Sequence, residues 1–96
     1  MLNRSRIYVG DLPPHATEAA LRDMFSHVDT VESVQMVLDP TTGHPRGYAF
    51  VEMQSAEGMM QAIRKFNGYV WDGYMLMVYS VPPRSVRRGE SRAELG

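Results

Sequence analysis

The sequence has 96 residues, of which 44% are hydrophobic and 22% charged, so it fits one folded globular domain and excludes a multidomain or disordered protein. It contains no cysteine, which excludes disulfides, thiolate metal sites and a cysteine nucleophile, and its net charge of −1 indicates by itself no polyanionic partner. No apolar run approaches the roughly 18 residues of a membrane span and no signal-peptide pattern precedes the first predicted strand, so we expect an intracellular protein of the cytoplasm, with the nucleus or an organelle as alternatives.

The first half of the chain carries strand and helix signals in alternation. A β-branched and aromatic run at residues 7–9 predicts a first strand, which ends before two prolines. Thr17 can cap a helix over residues 18–27, where apolar side chains recur at helical spacing. Alternating apolar and polar residues predict a second strand at about residues 32–38. The turn formers at residues 39–45 then predict a loop.

The second half repeats this order. Residues 46–53 alternate as a third strand, which forms a hairpin with the second. Ser55 can cap a second helix, and Gly68 is placed to end that helix in a left-handed conformation. The pair Asp72–Gly73 predicts a tight turn, and residues 75–79 alternate as the last strand.

The resulting βαββαβ order predicts an α+β, ferredoxin-like sandwich, in which both helices cover one face of a four-stranded antiparallel sheet. The other face then remains bare. Because side chains alternate along a strand, seven residues are expected to point outward from that face. An exposed patch of aromatic and apolar side chains usually marks a binding surface. The outward set is Tyr8, Gln35, Val37, Tyr48, Phe50, Met77 and Tyr79.

Two motifs lie on the predicted central strands. Residues 46–53, RGYAFVEM, match the octamer K/R-G-F/Y-G/A-F-V-x-F/Y at every position but the last. Residues 7–12, IYVGDL, resemble the companion hexamer of the first strand. Each motif alone is a weak signal, but the two together in this order are specific. From residue 6 to about residue 81 the sequence therefore resembles the RNA-recognition motif, and in particular the small single-domain members of bacteria and organelles.

The resemblance implies a single-stranded RNA-binding module that stacks bases on the rings of the sheet, at about 1 to 3 kcal/mol for each ring. Tyr8 and Phe50 match the family's two base-stacking positions, and Tyr48 matches a ring that usually contacts riboses. Arg46 matches the phosphate-neutralising position, and Gly47 is expected to allow a close approach of backbone or ligand. The complete set of candidate RNA-binding residues is Tyr8, Gln35, Arg46, Tyr48, Phe50, Met77, Tyr79 and Arg84.

Three features depart from the family pattern. Asp11 stands where the family usually has Asn, and Met53 replaces the closing aromatic of the octamer at an inward position that methionine can fill. The last strand carries Met75, Met77 and Tyr79 where polar or basic side chains are common. This apolar bias leaves open an alternative function, a protein-interaction module in which the same sheet face binds a peptide or a second copy.

We do not expect catalysis, a cofactor or a metal site. The sequence has no P-loop, no nucleophile–base set and no glycine-rich dinucleotide fingerprint. His15, His27 and His44 are scattered, with no partner at i, i+4 and no nearby carboxylate pair, and are expected to be solvated. Phe25, Phe66 and Trp71 are predicted to pack in the core.

The charges divide the chain into two parts. Residues 84–96 hold four arginines and two glutamates, an excess of +2, whereas residues 1–83 hold six basic and nine acidic residues, an excess of −3. We therefore predict a folded domain over residues 1–83 and an arginine-containing, flexible tail over residues 84–96, of which Arg84 is the first basic residue. The expected partner is single-stranded RNA, and no membrane is involved.

Overall fold

The computed structural model describes residues 5–81, which form six strands and two helices. The elements are β1 (Arg6–Gly10), α1 (Glu18–Ser26), β2 (Val31–Leu38), β3 (Pro45–Met53), α2 (Ala56–Phe66), β4 (Val70–Trp71), β5 (Tyr74–Met75) and β6 (Met77–Val81). The main sheet has four strands in the order β2-β3-β1-β6, with antiparallel neighbours, and β4 and β5 form a separate hairpin. This topology confirms the ferredoxin-like α+β fold. The predicted tail, including Arg84, lies outside the described residues.

Both helices begin at the predicted caps. The Thr17 hydroxyl oxygen accepts a hydrogen bond from the Ala20 amide at 3.0 Å, and the Ser55 hydroxyl oxygen accepts one from the Gly58 amide at 3.0 Å. Each bond satisfies an N–H group that the first helical turn leaves without a partner. After α2 the chain passes through Gly68 with a φ of +85°, the left-handed conformation predicted for this glycine.

The core lies between the helices and one face of the main sheet. The ring centroids of Phe25 in α1 and Phe66 in α2 are 4.7 Å apart, so the two helices meet directly. Met53 is fully buried, as expected from its inward position at the end of the octamer. Alternate residues of the strands complete this core, and the largest fully buried side chains are Phe25, Ile7, Leu21, Met53, Leu76, Val9, Val51 and Val78.

The last strand differs from the prediction. The alternation predicts a single strand over residues 75–79, but the structure interrupts this strand at Leu76. The Leu76 N–H donates a hydrogen bond to the Tyr69 carbonyl at 2.8 Å, and the Leu76 carbonyl accepts one from the Gly68 N–H at 2.8 Å. The segment therefore pairs first with the end of α2 and with β4, and joins the main sheet only in β6. The tight turn at Asp72–Gly73, where both residues have positive φ, makes this extra hairpin possible.

One histidine has a partner that the sequence analysis missed. His15 Nε2 lies 2.6 Å from Asp72 Oδ2, and its ring centroid is 5.9 Å from that of Trp71. His15 is exposed, as expected, and the fold brings beside it a carboxylate that lies 57 positions away in the sequence. This contact joins the loop after β1 to the β4–β5 turn. Trp71 itself is half-buried and packs against the core, as predicted.

A stability prediction arises at Gly58, in the first turn of α2. A Cβ atom at Gly58 would lie 2.7 Å from the Cβ of Asp29, and Asp29 is held by hydrogen bonds from the Ser55 hydroxyl and the Thr30 amide. Helix propensity favours alanine over glycine by roughly 1 kcal/mol, but overpacking costs roughly 1 to 3 kcal/mol. We therefore expect Gly58→Ala to lower the free energy of unfolding in urea denaturation. Gln61→Ala, at an exposed position of α2, is the control, and a stability gain in Gly58→Ala would contradict the prediction.

Candidate nucleic-acid interface

The sheet face opposite the helices carries four of the predicted site residues in one row across the strands. The pairing register sets Gln35 of β2 opposite Phe50 of β3, Phe50 opposite Tyr8 of β1, and Tyr8 opposite Tyr79 of β6. We call this row, Gln35, Phe50, Tyr8 and Tyr79, the ring row. Residues directly opposite each other in a sheet have neighbouring side chains. The register therefore converts scattered sequence positions into one continuous surface.

Four aromatic rings of this face are in mutual contact around Tyr8. The centroid of the Tyr8 ring lies 5.6 Å from that of Tyr48, 6.0 Å from that of Phe50 and 4.8 Å from that of Tyr79. The Tyr8 and Tyr79 rings are stacked with an angle of 24° between their planes, whereas Tyr48 and Phe50 meet edge to face. Tyr79 remains 50% exposed, so the cluster presents ring surface to solvent. Such faces can stack on unpaired bases.

The position of the Tyr8 ring depends on Gly10. A Cβ atom at Gly10 would lie 2.6 Å from both Cε2 and the hydroxyl oxygen of Tyr8, so the ring leans over the backbone of this glycine. Burial raises the pKa of the Tyr8 hydroxyl above its ordinary value, and the neighbouring Tyr79, Asp11 and Tyr48 raise it further. The phenol is therefore neutral at physiological pH. The folding stability that this raised pKa contributes is complete at pH values below the ordinary tyrosine pKa. It is lost as the pH rises through the raised pKa of the folded protein.

Arg6 belongs to this face and was missed by the sequence analysis. Its guanidinium carbon lies 4.3 Å from the centroid of the Phe50 ring, a cation–π contact. Arg6 and Phe50 are both half-buried, and such a contact is worth about 0.5 to 2 kcal/mol, compared with roughly 1 to 3 kcal/mol for a stacked base. The signal that could have found Arg6 is the alternation of β1, because residue 6 shares a face with Tyr8. The register sets Arg6 opposite Glu52.

The β6 end of the ring row and the adjoining β4–β5 hairpin carry exposed apolar side chains. We call Val70, Met75, Met77 and Tyr79 the apolar edge; their side chains are 54%, 61%, 49% and 50% exposed. Residues 67–81 contain no lysine or arginine, so this edge carries no basic side chain of its own. On the opposite margin, in β2, the side chain of Gln35 is exposed and that of Val37 is half-buried. The two margins of the sheet therefore differ in polarity.

Arg46 lies at the exposed start of β3. The next residue, Gly47, has a φ of +90°, and its carbonyl accepts a hydrogen bond from the Leu12 amide at 2.9 Å. Nothing lies within 4 Å of the place where a Cβ of Gly47 would be, so the expected close approach does not occur within the described chain. Glycine is suited to this position because of its left-handed backbone conformation.

The β2–β3 loop beside Arg46 is organised by one carboxylate. Asp39 Oδ1 accepts hydrogen bonds from the backbone amides of Thr41 at 2.8 Å and Thr42 at 3.0 Å. These bonds hold the pKa of the Asp39 carboxyl below its ordinary value, those from Thr42 and Thr41 being the largest causes. The loop is therefore ordered locally, by its own turn-forming residues.

Comparison with known proteins gives consistent matches. The profile described as RNA recognition motif matches residues 7–77. The 29 kDa ribonucleoprotein A of Nicotiana sylvestris chloroplasts is 43% identical over 86 residues, which are 90% of this chain and 32% of that protein. The human cleavage stimulation factor subunit 2 tau variant is 43% identical over 72 residues, which are 75% of this chain and 12% of that protein.

Among solved structures, the RNA15 RRM superposes with a TM-score of 0.78 at 33% sequence identity, covering 85% of this chain and 93% of that one. The chain therefore matches nearly the whole of that solved domain. In contrast, it spans only about a third or less of the two curated relatives. None of the helices within residues 5–81 is long and apolar enough to cross a membrane.

Proposed function

The chain belongs to the RNA recognition motif family, which makes it a single-stranded RNA-binding module, and we propose that its ring row is the surface that holds the bases. The observation that carries this proposal is the contact of Phe50, Tyr8 and Tyr79 across three adjacent strands. An unpaired nucleotide offers a flat π face and a negatively charged phosphate. Adjacent rings on a rigid sheet suit a run of about two or three unpaired bases.

We assign a separate task to each candidate residue. Tyr8 and Phe50 stack on bases, and Tyr48, beside them, contacts a ribose. Gln35, at the exposed end of the ring row, can donate to and accept from a base edge. Arg46 neutralises a phosphate, as does Arg84 in the tail. Met77 and Tyr79 continue the RNA-binding surface onto β6.

Chemical-shift mapping with short random-sequence RNA tests this proposal. Single-stranded oligonucleotides are expected to shift amide resonances of the sheet face opposite the helices, which we call the open face. The largest shifts are expected at Tyr8, Gln35 and Phe50. The exposed helix position Gln61 should stay unchanged, and a duplex of the same length should bind more weakly because its bases are already stacked and paired. Shifts confined to the helix side, or no shifts at all, would refute the proposal.

A second measurement addresses Arg46. Because a phosphate contact carries no sequence information, Arg46→Ala is expected to weaken binding to all sequences about equally. The negative slope of log affinity against log salt should become less steep by roughly 0.7. Arg64→Ala, on the exposed surface of α2, removes the same charge away from the open face and serves as the control. A loss that differs sharply between RNA sequences would instead show that Arg46 reads bases.

A second candidate function rests on the apolar edge. Its exposed side chains, together with the lack of lysine and arginine in residues 67–81, suit an apolar protein segment better than a polyanion. A peptide or a second copy of the chain would compete with RNA there, because Tyr79 belongs to both the apolar edge and the ring row. Salt separates the two functions, because RNA affinity falls steeply with ionic strength whereas apolar contact hardly changes. Sedimentation at low and high salt would detect self-association.

We propose, finally, that the module binds rather than catalyses, and that it works in an intracellular compartment that contains RNA. The sequence has no cysteine for the disulfides that many secreted proteins carry, which agrees with the cytoplasm or the nucleus, and we take the cytoplasm as the first choice. A tagged copy of the chain that is found together with RNA outside the cytoplasm would favour the nucleus or an organelle instead.

A further inference from the structure

We infer that Arg6 is a further RNA-contact residue, which closes over the outer face of the base that stacks on Phe50. This inference rests on the proposed ring row. In the structure the guanidinium carbon of Arg6 lies 4.3 Å from the centroid of the Phe50 ring, which is the place that a stacked base would take. The base and the guanidinium of Arg6 therefore compete for the face of the Phe50 ring. The role of Arg6 in the complex depends on which of the two occupies that face.

We expect the base to displace the guanidinium from the Phe50 ring. Base–ring stacking is the stronger contact, because it replaces a small planar cation on the half-buried Phe50 ring by a larger aromatic surface. The displaced guanidinium is not left without a stacking partner, since the base presents a second π face on its outer side. Arginine planes stack on bases as they stack on aromatic side chains. Phe50, the base and Arg6 can therefore form three consecutive layers.

The local structure keeps Arg6 close while leaving its side chain able to move. β1 is a central strand, so the Arg6 backbone is fixed by pairing with Glu52 on one side and Val81 on the other. Within residues 5–81 no ion pair holds its guanidinium to Glu52, although the two residues are directly opposite. Glu52 Oε1 instead accepts a hydrogen bond from the Ser33 hydroxyl at 2.9 Å. Among residues 5–81, the Arg6 guanidinium contacts the Phe50 ring, on which the base is proposed to stack.

A stacking role for Arg6 differs from the phosphate role proposed for Arg46. A phosphate contact needs only positive charge, so lysine can replace arginine and high salt weakens the contact. A stacked layer needs the planar guanidinium, which lysine does not have. It also retains most of its effect at high salt, because it is a contact at short range within the complex.

The experiment measures affinities of the full chain and its variants for mixed-sequence single-stranded RNA hexamers at low and high salt. Arg6→Ala is expected to weaken binding about fivefold at both salt concentrations. Arg6→Lys is expected to recover only a minor part of that loss, whereas Arg46→Lys should retain nearly wild-type affinity. Arg64→Ala is the charge control. In nuclear magnetic resonance spectra, the side-chain protons of Arg6 should be shifted upfield in the free protein and remain upfield in the complex.

Three results would overturn the inference. Tighter binding or unchanged binding by Arg6→Ala would show that Arg6 merely covers Phe50 in the free protein. Full rescue by Arg6→Lys, together with loss of the effect at high salt, would show an ordinary phosphate contact. Return of the Arg6 protons to ordinary shifts in the saturated complex would show that no ring lies against them. A wild-type chain that binds none of these oligonucleotides would instead refute the proposed function itself.

Discussion

Replacing Phe50 with alanine is expected to weaken single-stranded RNA binding by about 1 to 3 kcal/mol, or roughly 5-fold to 150-fold, while the protein stays folded. The ring is half-buried on the open face, where it meets Tyr8 and Tyr48 at its edges and Arg6 on its face. Removing the ring therefore destabilises the fold only through the loss of cross-strand contacts, which are worth up to about 1 kcal/mol each. Fluorescence anisotropy measures the affinity, and urea denaturation measures the stability.

The matched control for Phe50→Ala is Val70→Ala. Val70 is also an exposed apolar side chain, but it lies on the apolar edge rather than in the ring row. The Val70→Ala variant should keep wild-type RNA affinity. The comparison therefore distinguishes the loss of apolar surface in general from the loss of a stacking ring. If folded Phe50→Ala bound RNA as tightly as the wild type, base stacking on the ring row would be refuted.

The largest expected effect on stability is that of Phe25→Ala, at about 3 to 5 kcal/mol. Phe25 has no exposed surface and packs against Phe66, with 4.7 Å between the ring centroids, at the contact of the two helices. Its removal leaves a cavity that the neighbouring side chains fill only in part. Domains of this kind are stable by only about 5 to 15 kcal/mol, so this one change removes a large fraction of the total. Chemical denaturation with tryptophan fluorescence as the probe measures it.

Phe25→Ala and Phe50→Ala make the same chemical change on opposite sides of one sheet, in helix α1 over the covered face and in β3 on the open face. The first is expected to lower stability, with RNA affinity retained by the folded fraction, and the second to lower affinity with stability retained. A Phe25→Ala variant that is fully folded yet has lost RNA binding would contradict this separation, because it would show that the core side of the sheet controls the RNA surface.

Much of this molecule follows from local sequence patterns. The caps at Thr17 and Ser55 form as predicted, because a cap involves only residues three positions apart. The alternation that sends Tyr8 and Phe50 to one face and Val9 and Val51 to the other also holds, because the side-chain period of a strand is a local property. These patterns were sufficient to predict the fold and the open face.

The tertiary structure alone decided which side chains meet on that face. The stack of Tyr8 on Tyr79 and the contact of Arg6 with Phe50 require β1 to lie between β3 and β6 in one particular register. The same holds for the His15–Asp72 contact, which joins distant parts of the chain. A sequence pattern specifies how each strand presents its two faces. It does not specify the register between strands, because register is set by the packing of all strands and helices around one core.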